Sequence, residues 1–165
     1  MNFHLRNFSL IDIIVTLGTE FNVPSVPTTS PITEVTIGGT KIAANVNVTS
    51  TTAIATPTDK AVATDIKATQ GTFTFDKDNA KKPCTAKFSC IVIPQIIAAN
   101  DFKITLKTAN KAYEWILDKE ITLKSGFRHT LKLTMGNDVV LTTKESITAK
   151  PWDNGTKPDS SLETE

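Results

Sequence analysis

Apolar and polar residues alternate with a period of two along most of this chain, the spacing of a strand with one buried face. Ile11, Ile13, Val15 and Leu17 stand two apart, with Asp12, Ile14 and Thr16 between them, which predicts a long first strand. Val35 and Ile37 precede Gly38-Gly39, and Ile42, Ala44, Val46 and Val48 follow. A tight-turn glycine pair between two alternating runs predicts a β-hairpin. Phe73 and Phe75 mark a short strand, and Ala86, Phe88, Cys90 and Val92 another, ending at Pro94. Phe102, Ile104 and Leu106 form the next, followed across Ala109-Asn110-Lys111 by Tyr113, Trp115 and Leu117. Phe127, His129, Leu131, Leu133 and Met135 alternate with Arg128, Thr130, Lys132 and Thr134. Gly136-Asn137-Asp138 then predicts a turn into residues 139–142, and Ile147 and Ala149 lead to Pro151-Trp152.

No segment keeps a helical period of 3.6 over ten positions. Eight or so short strands punctuated by Gly, Pro and Asn predict an all-β chain folded as a β-sandwich. Its core is expected to bury Ile11, Ile13, Val15, Phe88, Cys90, Ile104, Leu106, Leu131 and Leu133, with Trp152 covering the open end. Residues 21–31 and 49–70, rich in Thr, Pro and Ala, are expected to be loops or irregular edge strands. At 165 residues the chain suits one domain, expected over residues 1–155, with residues 156–165 as a polar tail.

Charge narrows the function. A formal net charge of +1 lacks the basic excess of a nucleic-acid binder. Arg6 and Arg128 are the only arginines among 18 basic residues, so bidentate phosphate clamps are scarce. Residues 10–17 are too short and carry Asp12, so they predict no transmembrane span, and they lack the basic start and cleavage site of a signal peptide. The chain is therefore expected to be cytoplasmic, to take its export signal from upstream of Met1, or to have lost that signal.

No catalytic, cofactor-binding or metal site is expected. Phosphate loops, HExxH, GxSxG and calcium-loop motifs are missing from the sequence. Cys84 and Cys90 would lie on one strand face about 20 Å apart, too far for a disulfide, and read as free buried thiols. His129 falls at an apolar position of its strand and reads as a satisfied structural histidine; His4 is treated the same way. Asp76, Asp78 and Asn79 offer clustered oxygens to a calcium ion, but read more simply as a solvated turn. Tyr113, Trp115 and Trp152 are the aromatics for a sugar platform; Tyr113 and Trp115 share a strand face, which favours core packing. Asn-x-Ser/Thr triplets at Asn7, Asn47 and Asn154 carry little weight in a Thr-rich chain.

The order of features in the C-terminal half is more specific. Ile91-Val92-Ile93 meets Pro94-Gln95, then Phe102-Lys103-Ile104-Thr105-Leu106, then the Tyr113/Trp115 strand. Gly126 leads into the residues from Phe127, and Ile147 precedes Trp152 with Gly155 behind it. With Phe3-His4-Leu5 ahead of the first strand, this resembles the second domain of fimbrillins. These are the pilins and pilus-associated proteins of Bacteroides-type bacteria, whose members carry an earlier domain and a lipoprotein signal. The resemblance implies a transthyretin-like Greek-key sandwich of about seven strands. It also implies a cell-surface location in fimbriae or at the outer membrane, and no enzymatic activity. The implied role is a structural or accessory subunit that joins other fimbrial subunits by strand addition, in which an exposed groove accepts a neighbour's strand. Arg6 has the residue type of an Arg-specific processing site; a cut there frees six residues, and it reads as an ordinary basic residue. A glycan- or protein-binding adhesin module, meeting host or bacterial surface ligands, is the competing role on the same scaffold.

Overall fold

The computed structural model describes residues 8–42, 44–46, 55–57, 65–136, 140–141 and 147–151. These form fourteen strands and one short 3-10 turn, Thr19–Asn22, with no α-helix among the described residues. The strands are β1 (Ser9–Leu17), β2 (Ile32–Gly38), β3 (Ala44–Val46), β4 (Ala55–Pro57), β5 (Ile66–Lys67), β6 (Thr69–Thr74) and β7 (Cys84–Val92). They continue as β8 (Gln95–Ile97), β9 (Lys103–Thr108), β10 (Ala112–Ile116), β11 (Ile121–Leu123), β12 (Phe127–Met135), β13 (Val140–Leu141) and β14 (Ile147–Pro151). The tally exceeds the expected seven because several strands are only two or three residues long.

The larger sheet runs β13-β12-β1-β7-β6, with β14 also on β12; the smaller runs β10-β9-β2-β5. Two further pairs, β8 with β11 and β3 with β4, stand outside them. The apolar faces of both sheets feed one core, so the chain is an all-β sandwich. β1 lies at the centre, antiparallel to β7 and parallel to β12. Its alternation works as predicted: Ile11, Ile13, Val15 and Leu17 are fully buried. Register sets Ile13 between Phe88 of β7 and Leu131 of β12. Every residue of the expected core is buried except Cys90, which is half-buried and packs against that core.

The predicted hairpin at Gly38-Gly39 is not there. β2 pairs with β9 and β5, while β3 pairs with β4. Gly39 has φ +88, and a Cβ on it would fall onto the carbonyl oxygen of Asp101. The glycine is needed for a left-handed residue and a close backbone crossing, not for a two-residue turn. The chain leaving β2 is caught by the Gln95 side chain. Its Oε1 accepts the Lys41 N–H at 2.9 Å, and its Nε2 donates to the carbonyls of Lys41 (3.2 Å) and Ile93 (3.0 Å). An amide side chain thus takes the place of a ladder strand.

Two register shifts re-aim side chains. One lies between Ile32 and Glu34, so that Ile32 and Val35, three apart in sequence, are both fully buried. The other lies in β6 between Gln70 and Phe73, where Gly71 and Thr72 stand opposite Lys87 alone. Between β5 and β6 the chain passes from the smaller sheet to the larger, anchored by the Ala68 N–H on the Val35 carbonyl at 2.8 Å.

Candidate functional site

β12 carries His129 inward, beside the turn that precedes it. Its Nε2 accepts the Lys124 N–H at 3.0 Å, and burial lowers its pKa, so the ring is held neutral. Ser9, fully buried at the start of β1, donates its hydroxyl to the Lys124 carbonyl, and the Gly126 N–H reaches the Phe8 carbonyl at 2.9 Å. A serine and a histidine therefore meet the same residue, yet each bonds backbone rather than the other. What they build is a strap from the 124–126 turn to β1, not a nucleophile and its base.

The other titratable candidates are similarly engaged. Cys84 and Cys90 are free thiols on the inward side of β7, in register with Leu17 and Ile11. Burial raises both pKa values, that of Cys90 to about 12 with help from the Asp12 charge, so neither is a ready nucleophile. The Cys84 thiol donates to Asn22 Oδ1 at 3.4 Å, while Asn22 Nδ2 donates to the carbonyls of Ala80 (2.9 Å) and Lys82 (3.0 Å). In the Asp76–Asn79 turn, Asp76 accepts the Asp78 N–H, and Asn79 accepts the Lys81 N–H. Lys82 and Lys77 pair with Asp76 and Asp78. No cluster of three or more potential metal ligands occurs among the described residues.

Tyr113 and Trp115 both turn into the core from β10, with the Lys111 ammonium 5.3 Å over the tyrosine ring. His4, Arg6, Asn7, Asn47, Trp152 and Asn154 lie outside the described residues. Sequence reasoning gave no role to Asn22, Ser9 or the Gln95 side chain. Nothing in an isolated Asn or Ser signals that its partners lie more than fifty residues away.

What the arrangement offers is backbone. Among the described residues no strand pairs with the outer edge of β6, which ends the larger sheet. From Ala68 to Phe75 that segment carries no charge, and the rings of Phe73 and Phe75 within it stack with centroids 5.7 Å apart. Uncharged edges template further pairing, and only the bulge at Gly71-Thr72 interrupts this one. No helix among the described residues is long and apolar enough to cross a membrane.

The model of the fimbrillin-like family matches residues 6–152. No curated protein sequence matches the chain. Among solved structures, the fold is similar to that of a candidate cell adhesion protein from Bacteroides ovatus, with TM-score 0.53 and 14% identity. That likeness covers 89% of this chain but 46% of the other, so the chain spans about half the length of that protein.

Proposed function

The chain belongs to the fimbrillin-like family, and we propose from that premise that it is a structural or accessory subunit of bacterial cell-surface fimbriae, joined to other subunits by strand addition. The family match over residues 6–152 carries this reading. The sheet supports it physically. β1 is paired along both edges and buries four apolar side chains completely, so a strand in its place would be held by two ladders and a full apolar face. With β1 seated, that groove is filled, and the purified chain is a monomer or weak dimer. Growth requires a proteolytic cut or a partner that supplies an open groove.

Light scattering with and without protease tests this. Monomers that stay monomeric until cleaved are expected, and filaments forming spontaneously would overturn it. Immunogold labelling of intact cells tests the location: label on surface filaments is expected, and label confined to the cytoplasm would end the fimbrial reading.

A further inference from the structure

We propose that the outer face of the larger sheet binds an acidic saccharide residue, carboxylated or sulfated, in a depression beside the β6 bulge. The depression has a volume of about 250 Å³, and Asp12, Ile14, Gly71, Thr72, Lys87 and Arg128 are among its lining residues. That is too large for a bare oxyanion and suits one sugar ring.

Three features converge there. First, charge: Lys87 and Arg128 face a single carboxylate, Asp12, leaving one positive charge in excess. Asp12 Oδ2 lies 3.4 Å from Arg128 Nε, which fixes the guanidinium on the sheet surface. A guanidinium fork matches a carboxylate or sulfate, and this chain places one of its two arginines here. Second, the wall: the bulge sets Gly71 and Thr72 against Lys87 alone, interrupting the ladder at the rim, and glycine in a strand lets another molecule approach the backbone. Third, the floor: Ile14 is an aliphatic residue between outward-facing Asp12 and Thr16, suited to sugar C–H groups, while Ser89 and Thr72 supply hydroxyls for sugar hydroxyls. Tyr113 and Trp115 take no part in it, because both are in the core.

This site does not depend on the fimbrial role, and it is tested on the isolated chain. Titration of the 15N-labelled protein at low salt with sodium glucuronate should shift the amides of Gly71, Thr72, Lys87 and Ser89. Glucose and inorganic sulfate should bind at least about tenfold more weakly. A Cβ at Gly71 would stand 3.4 Å from the Lys87 carbonyl, so Gly71→Val can fill the depression while the strand persists. That variant and Lys87→Gln should each weaken glucuronate about tenfold with the rest of the amide spectrum unchanged. Equal response to glucose and glucuronate, shifts located elsewhere, or undiminished binding by both variants would overturn the proposal. Sulfate binding as tightly as glucuronate would reduce the site to a bare anion contact and overturn the saccharide assignment.

Discussion

Asn22 joins three segments from one buried amide: the 3-10 turn it ends, the 80–82 loop and the first residue of β7. Asn22→Ala leaves two carbonyls and a thiol without these partners and should cost about 2–3 kcal/mol in urea denaturation. A loss under about 0.5 kcal/mol would mean that the loop rearranges to satisfy them. His129 titrates in the opposite sense to a histidine that gains a carboxylate. Its folded pKa lies below the ordinary 6.5, so above pH 6.5 the ring is neutral in both states and adds no pH dependence. As the pH falls below 6.5 the unfolded chain takes up a proton that the folded chain refuses, and stability declines until the folded pKa is passed. Denaturation midpoints from pH 7.5 to 5 should fall more steeply for the native chain than for His129→Gln. Parallel curves would show that the ring is not held neutral.

At the scale of elements, the period-two pattern placed β1, β7, β9, β10 and β12 because each has one face in the core and one in solvent. It failed where pairing departs from that rule. Gly38-Gly39 has the composition of a hairpin turn, but Gly38 itself pairs with Lys103, and two residues past Gly39 the backbone of Lys41 is held by the Gln95 side chain. Ile32 and Val35 break the period because a bulge separates them. β8 is three residues long and β5 two, too short for alternation to register. The candidate site was less legible still, since an edge is a lack of neighbours and the outer-face depression joins residues from four strands. Gln95→Ala removes three hydrogen bonds to backbone. It should cost about 1–3 kcal/mol and speed amide exchange at Lys41 ahead of global unfolding. Unchanged exchange at Lys41 would show that the bridge stands without its amide.

Across the whole molecule, the first strand is completed by almost the last. β1 has its antiparallel partner in β7 and its parallel partner in β12, more than a hundred residues downstream. A chain truncated after Gly126 would lack β12 and leave one edge of β1 bare along its length; it should show no cooperative thermal transition, and a sharp one would contradict this account.

The same closure dictates when folding can happen. As the polypeptide emerges from the ribosome, β1 comes out well before β12 and waits, its apolar face uncovered, until that partner follows. Pairings so distant in sequence are slow, on the order of milliseconds to seconds even for a free chain. During that wait β1 is a strand with a sticky apolar face, open to a holding chaperone. Strand order thus delays closure of the sheet until β12 has emerged, and that strand locks β1 in place when it arrives.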